Sequence, residues 1–362
     1  MIGLIKSIFK QLINTSVLLQ SVYYKHCYNK NYIKQNAMLN DEIEKYAEHG
    51  IVYLLAPGYS NIGDVAIFVQ SIQFLNENAR QPIKAILYSR QCVNFNNIRN
   101  LPLYDDDIIV IQGGGNMGSL YALEELLRQN IVKAFPNNKI ISLPQSICFV
   151  NQKKDYILER AKKIYSNHKK LTIYARDLPT LDFCKDNFKC NIILCPDMVL
   201  SSTPKRIREY KKNQRVLLCL RKDLESSIPS DKVKMIENIL KASGYSFEYW
   251  DTDDLSGRNI DKKQEKIQSI LDYINQFQLV ITDRYHGTIL SYISQTPCIA
   301  LDNCYGKVKN GFYWFKETNY MFFADDVQEI MNYIERIEKL NEFRINSDLI
   351  NNYSDLRESL II

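Results

Sequence analysis

Short β-branched apolar runs alternate with helix-length amphipathic stretches along most of this chain. That alternation restricts it to parallel sheets built from strand–helix–strand units. The first half supplies the runs Ile51–Leu55, Ile83–Tyr88, Ile108–Ile111, Lys139–Leu143, Leu171–Tyr174 and Asn191–Leu194. Helical patterns lie between them at Val65–Leu75, Leu120–Lys133, Tyr156–His168 and Leu178–Asp186. After a polar, basic stretch over 201–214 the alternation restarts with Arg215–Leu220, a helix over Lys232–Ala242, Ser246–Trp250, a helix over Lys263–Phe277, Leu279–Thr282 and Cys298–Leu301. Two helical patterns, Val327–Leu340 and Phe343–Leu360, close the chain.

A length of 362 residues exceeds one ordinary core. The pattern therefore predicts a helical segment over 1–50, a first Rossmann-like domain over 51–200, a linker over 201–214, a second Rossmann-like domain over 215–342 and a C-terminal helix over 343–362. Two parallel-sheet α/β domains facing each other across a cleft would place ligands at strand ends in that cleft.

The net charge of +5 has no long Lys/Arg tract behind it, which argues against a nucleic-acid binder. Nine cysteines without a C-x-x-C pair read as reduced, buried thiols of a cytoplasmic protein, with neither a disulfide frame nor a zinc site. Residues Ile2, Leu4, Ile5, Ile8, Phe9, Leu12 and Ile13 recur at helical spacing, but Lys6 and Lys10 interrupt them too often for a membrane span. This segment either packs on its own domain or lies peripherally on a membrane surface.

Several blocks carry possible chemistry, each at the end of an expected strand. Thr282-Asp283-Arg284-Tyr285-His286-Gly287 sets an arginine and a histidine beside a helix start, an anion site with a proton donor attached. The plainer alternative is an Asp283–Arg284 ion pair with His286 capping the helix. Gly58-Tyr59-Ser60-Asn61-Ile62-Gly63-Asp64 could hold sugar hydroxyls through Asn61 and Asp64, although Asp64 also suits a helix cap. It lacks dinucleotide-binding spacing, so a nicotinamide or flavin cofactor is not expected. The run Gln112-Gly113-Gly114-Gly115-Asn116 favours ligand contact over a plain turn, since consecutive glycines cost entropy and pack nothing. It has no Lys-Ser/Thr to make a phosphate-binding loop. Gln145 and Ser146 end the fourth strand, Arg176 and Asp177 the fifth, and Cys195-Pro196-Asp197 turns the chain towards the linker. Arg221 follows the strand over 215–220, and Lys307 is presented by a loop after Gly306.

Taken in order, G-Y-S-N-I-G-D at 58–64, Q-G-G-G-N at 112–116, P-Q-S at 144–146, A-R-D at 175–177, C-P-D at 195–197, D-R-Y-H-G at 283–287 and Y-G-K at 305–307 resemble the polysaccharide pyruvyl transferase family. The resemblance covers about residues 50 to 320. It implies a two-domain fold like the GT-B glycosyltransferases and transfer of pyruvate from phosphoenolpyruvate to two hydroxyls of a sugar, giving a cyclic ketal and phosphate. The setting implied is exopolysaccharide or capsule assembly, with an acceptor that is commonly lipid-linked.

By this resemblance Arg284 and His286 are catalytic, and Arg176, Arg284 and Lys307 bind phosphoenolpyruvate; Arg221 is a weaker competitor for Arg176. Asn61, Asp64, Gly114, Asn116 and Gln145 are the candidate acceptor residues. Tyr285 stands where family members often carry an apolar residue. No cofactor and no metal are implied, phosphoenolpyruvate being a co-substrate. Two Rossmann-like domains would also serve a glycosyltransferase using a nucleotide-sugar, or a glycan-binding protein without turnover.

Overall fold

The computed structural model describes residues 49–58, 61–93, 98–150, 155–206, 209–221, 228–250 and 260–361. The amphipathic segment over 2–13 and the polar entry before residue 49 lie outside the described residues.

In chain order the first part runs β1 (Ile51–Ala56), α1 (Ile62–Asn78), β2 (Ile83–Tyr88), β3 (Ile108–Ile111), β4 (Gly114–Met117), α2 (Ala122–Ala134), β5 (Lys139–Ile147), α3 (Tyr156–Asn167), β6 (Leu171–Ala175), α4 (Leu178–Asn187) and β7 (Asn191–Leu194). Its strands form one parallel sheet of order β2-β1-β3-β5-β6-β7, with β4 pairing alongside β5. Every residue of β1 and β3 is buried, as expected where helices cover both faces of a parallel sheet. The edge strand β7 exposes Asn191 and only half-buries the rest.

The second part runs β8 (Arg215–Cys219), α5 (Ser230–Ala242), β9 (Ser246–Tyr249), α6 (Ile260–Ile274), β10 (Leu279–Thr282), α7 (Tyr285–Ile293), β11 (Cys298–Leu301), α8 (Lys307–Gly311), β12 (Met321–Ala324), α9 (Ile330–Glu338) and α10 (Ser354–Ser359). These five strands make a separate parallel sheet, β12-β11-β10-β8-β9, with β10 in the middle. Each sheet has its own apolar core. Leu54, Ile109, Ile131 and Ile140 belong to the first, and Val216, Leu240, Ile281 and Ile299 to the second.

The fold class is thus two parallel-sheet α/β units. By contacts, one unit holds Phe74–Cys195 and Asp355–Ile362 with the described residues up to Gly58. The other holds Pro196–Ser354 and the segment ending at Gln73, so the division falls inside α1. The stretch over 201–214 shows no strand among its described residues and packs along the second unit. There Lys205 N–H donates to Ile293 O, and the Arg206 guanidinium lies over the Tyr210 ring.

One expected element differs. Phe343–Leu360 is not a continuous helix but an extended start, a 3-10 turn over Ser347–Tyr353, and the short α10. Tertiary contacts fix the extended start. Phe343 packs edge-on against Tyr210 and Tyr320, Arg344 N–H donates to Asn319, and Asn346 caps the turn by accepting from Asp348 N–H. Among the described residues no helix is long and apolar enough to cross a membrane.

Candidate active site

The end of β10 is built around Thr282. Its hydroxyl donates to Cys219 O on β8 and accepts from Arg284 N–H. Gly287 lies over the same hydroxyl. A Cβ there would stand 2.4 Å from Thr282 Oγ1, so glycine lets α7 begin this close to the strand. Asp283 is fully buried and its Oδ1 accepts from Arg221 N–H at 2.8 Å, tying the ends of β8 and β10 together. Burial pushes the Asp283 carboxyl up to about 6, against the pull of the Arg221 N–H and of the Arg221 and Arg284 charges. Arg221 is thus tied through its backbone to a buried carboxyl at the carboxyl edge of the central strands.

His286 lies in the first turn of α7. Helix α7 is capped at Arg284 without any side-chain cap, so His286 does not serve as its cap. One nitrogen of the imidazole, Nε2, stands 3.5 Å from Asp197 Oδ2. The histidine side chain keeps 19% of its surface while Asp197 keeps 0%, so an incoming ligand meets the ring and not the carboxylate. Asp197 Oδ1 accepts from Val199 N–H, and its carbonyl accepts from the buried Tyr353 hydroxyl. On the other edge of the ring lies Gly63, whose added Cβ would sit 2.1 Å from Nδ1.

The loop before α1 is organised by Asn61 rather than Asp64. Asn61 Oδ1 accepts from Gly63 N–H at 2.9 Å and from Asp64 N–H at 3.3 Å. Asp64, half-buried, occupies the first turn of α1. Both residues belong to the unit that carries Arg284 and His286.

Lys307 is not on a flexible loop. Gly306, in the left-handed region at φ 67°, turns the chain into α8, and Lys307 opens that helix with its N–H donating to Asn303 Oδ1. Helix α8 in turn rests on Tyr285, since a Cβ on Gly311 would come within 2.1 Å of that ring.

The remaining candidates sit in the other unit. Arg176, 2% exposed, donates from Nε to Ser146 Oγ at 2.7 Å. Ser146 in turn donates to the Asp177 carboxylate, and Asp177 caps α4 through Thr180 N–H. The guanidinium is thereby held by a serine that is itself anchored to a helix cap. Gln145, fully buried, donates to Gln112 O, and Gln112 accepts from the Tyr53 hydroxyl.

Backbone approach accounts for the glycines nearby. A Cβ on Gly113 would meet Pro144 O at 2.9 Å, one on Gly118 would meet Cys148 O at 2.3 Å, and Gly114 has φ 135°. Asn116 Oδ1 accepts from Arg128, which pairs with the buried Glu125. The same unit gathers His49, Asp106 and Asp107 closely enough to hold a cation, but Asp107 is already paired with Lys84. Cys92 is buried and its thiol is pushed up to about 12, as suits an inert core cysteine.

Comparison with known proteins decides the family. The family model described as polysaccharide pyruvyl transferase matches residues 61–305. The chain belongs to the polysaccharide pyruvyl transferase family. The match runs from the Asn61 cap past the D-R-Y-H-G block and stops two residues short of Lys307. General stress protein 30 of Bacillus subtilis (strain 168) is 32% identical over 316 residues, covering 84% of this chain and 88% of that protein. Pyruvyl transferase 1 of Schizosaccharomyces pombe is 30% identical over 273 residues, covering 70% of this chain and 66% of that one. Among solved structures, the functionally uncharacterized Klebsiella pneumoniae protein KP1_0663 aligns with TM-score 0.51 at 19% identity. It covers 80% of this chain and 98% of its own, a likeness of fold.

Within this family framework, sequence reasoning did not give Asp197, Gly63 or Ser146 the contacts they make. The C-P-D, G-Y-S-N-I-G-D and P-Q-S blocks contained them. Their pairings join segments far apart in the chain, which no spacing reveals.

Proposed function

We propose that this pyruvyl transferase takes its pyruvyl group from phosphoenolpyruvate and sets it as a cyclic ketal on two hydroxyls of a sugar, in a cell-surface polysaccharide or its lipid-linked precursor. The observation that carries this reading is the end of β10. Arg284 caps the helix that follows the strand, a partly exposed imidazole stands in its first turn, and the buried Asp283 carboxyl holds Arg221 N–H at the end of β8.

Phosphoenolpyruvate presents a carboxylate and a phosphate, which guanidinium groups bind through charge-assisted forks. Arg284 is the first ligand in this reading. Lys307 supplies a further point charge, and Arg176, in the first unit, is assigned to a substrate anion by the family resemblance.

Ketal formation begins when the imidazolium of His286 gives its proton to the methylene carbon, which becomes a methyl group. Positive charge then develops at C2, where the first sugar hydroxyl adds and returns a proton to the imidazole. The second hydroxyl adds as the C2–O bond to phosphate breaks, and its proton leaves with the phosphate. One phosphoenolpyruvate and one diol thus give one ketal and one phosphate. Asn61, Asp64, Gly114, Asn116 and Gln145 are proposed to contact the acceptor, and the segment over 2–13 to rest on the membrane that carries it.

The test is incubation with phosphoenolpyruvate and a synthetic or lipid-linked glycan, with mass measurement of the glycan and assay of phosphate. A pyruvate-sized gain with one phosphate per ketal is expected. A hexose gain from a nucleotide-sugar would instead assign a glycosyltransferase. Glycan binding with no turnover, unaffected by His286→Ala, would assign a binding protein.

A further inference from the structure

We infer that the first unit carries a second glycan-binding site, formed by the two grooves that flank α3, and that this site takes a carboxylate-bearing stretch of the acceptor chain. The inference rests on the reading that pyruvate ketals are set on a polysaccharide, since each ketal adds a carboxylate to that chain.

Helix α3 packs against α2 on one side and faces α4 on the other. The groove towards α2 has a volume of about 420 Å³ and the groove towards α4 about 580 Å³, and Lys163 and Asn167 line both. Each falls in the range of about 300–1,000 Å³ that holds small-molecule ligands. Helices α3 and α4 end at Asn167 and Asn187, just before β6 and β7 begin, so the groove towards α4 lies at the amino edge of the sheet. Ser146 and Arg176 stand at the opposite, carboxyl edge, and the grooves are separate from them.

The charge on these walls is one-sided. Lys133, Arg160, Lys162, Lys163, Lys185 and Lys189 face two carboxylates, Glu159 and Asp186, and Glu159 is already paired with Lys162 at 3.0 Å. Among the described residues Lys133, Lys163, Lys185 and Lys189 pair with no carboxylate. Neutral oxygens hold Arg160: one Nη donates to Gln129 Oε1 and the other to Asn130 Oδ1, each at 2.6 Å. Its guanidinium is thereby fixed in direction without losing its charge. Glu125, which accepts from Gln129, is paired with the buried Arg128 and does not offset Arg160. A fixed guanidinium among unpaired lysines suits carboxylates. The other lining residues favour a sugar chain over a lipid surface. Val132, Ile164, Tyr156 and Phe188 are buried or half-buried, so none of them offers an exposed anchor to a bilayer. The Tyr156 ring, with the Asn167 amide and the Ser166 hydroxyl, supplies the apolar face and polar groups that a sugar ring meets.

The test measures binding of oligogalacturonate, a sugar chain with one carboxylate per residue, to the full-length protein by calorimetry at low ionic strength. The wild type should bind it more tightly than neutral oligogalactose of the same length, and added salt should weaken the complex. The double variant Lys133→Glu/Lys163→Glu should lose at least about 10-fold in affinity, and Lys185→Glu/Lys189→Glu should lose affinity in the same direction. Phosphoenolpyruvate binding and thermal unfolding should stay as in the wild type. Lys211→Glu/Lys234→Glu, which makes the same charge change on exposed residues of the second unit, should alter affinity by less than about twofold.

Equal affinity of the wild type for the charged and neutral chains would overturn the inference without any variant. So would wild-type affinity in both groove variants, or an equal loss in Lys211→Glu/Lys234→Glu, which would mark a response to net charge alone. Phosphatidylglycerol vesicles and polyuridylate serve as competing polyanions. Tighter binding of either one, lost in Lys133→Glu/Lys163→Glu, would assign the grooves to a membrane or to RNA and overturn the glycan assignment. The binding measurement needs no turnover. If pyruvyl transfer fails with every acceptor while the binding pattern holds, the functional reading falls and the grooves still take a carboxylated glycan; if transfer succeeds and the groove variants bind as the wild type does, the second site alone falls.

Discussion

Gly63 lies beside the His286 imidazole so closely that a methyl group on it would stand 2.1 Å from Nδ1. Gly58, five residues earlier in the same block, has nothing within 4 Å of the corresponding position. Gly63→Ala should therefore displace the ring and lower kcat by at least about 10-fold, with a stability loss of about 1–3 kcal/mol from overpacking. Gly58→Ala should leave stability within about 0.5 kcal/mol. Steady-state kinetics and urea unfolding of the two variants check the contrast, and equal effects would refute it.

His286 and Arg284 should fail in different ways. His286→Ala is expected to slow the chemical step by about 10²–10⁴-fold while phosphoenolpyruvate still binds. Arg284→Ala should weaken that binding by about 1.5–3 kcal/mol, and Arg284→Lys should restore only part, since an ammonium cannot form a bidentate fork. Calorimetry with phosphoenolpyruvate and quenched single-turnover phosphate release separate the two. Loss of binding with an intact single-turnover rate in His286→Ala would make the histidine an anion ligand.

Asp283 predicts a pH dependence of stability. Its folded-state pKa of about 6 lies above the ordinary value of 3.8 because the carboxyl is buried. The folded state therefore binds more protons than the unfolded state between these values, and the carboxyl's contribution to stability falls as pH rises through that window. The penalty is fully present above pH 6 and amounts to about 3 kcal/mol at most. Asp283→Asn, which keeps an oxygen for Arg221 N–H, should gain stability relative to wild type between pH 4 and pH 7. Urea unfolding at both pH values checks this, and a parallel shift of the two proteins would count against it.

Gly118 should prove structural. With φ 108° and a Cys148 carbonyl 2.3 Å from any added Cβ, Gly118→Ala is expected to cost about 3 kcal/mol or more. Thermal unfolding reads the loss, and near-normal phosphoenolpyruvate binding by the fraction that folds would separate backbone strain from ligand contact.

The strands were legible because parallel sheets covered on both faces leave continuous apolar runs. Ile108–Ile111, Leu279–Thr282 and Cys298–Leu301 form strands with the bounds that their sequence predicts. Met321–Ala324 escaped notice because its four residues include no β-branched one and it lies at the sheet edge. The residues around His286 were legible as a strand end, since Gly287 and the polar turn mark the start of α7. Its walls were not legible. Asp197 and Gly63 approach it from segments whose local sequence speaks only of a turn and a helix cap, and three-dimensional packing alone assigns them to the ring. In the same way, Asn61 took the capping role that the sequence offered to Asp64. An amide oxygen at the cap position reaches two N–H groups of the first turn, while a carboxylate three residues later cannot.

Three successive residues at the head of α7 are each pressed against a glycine from elsewhere or against the strand beneath: Tyr285 against Gly311, His286 against Gly63, and Gly287 itself against Thr282. The head of this helix is thus a plug in a socket whose fit comes from missing side chains. Mutational drift at any of the three glycines can only add bulk, which tilts the arginine and the imidazole together. New acceptor preferences therefore have to arise on surfaces outside the socket, where side chains can be exchanged without moving the imidazole.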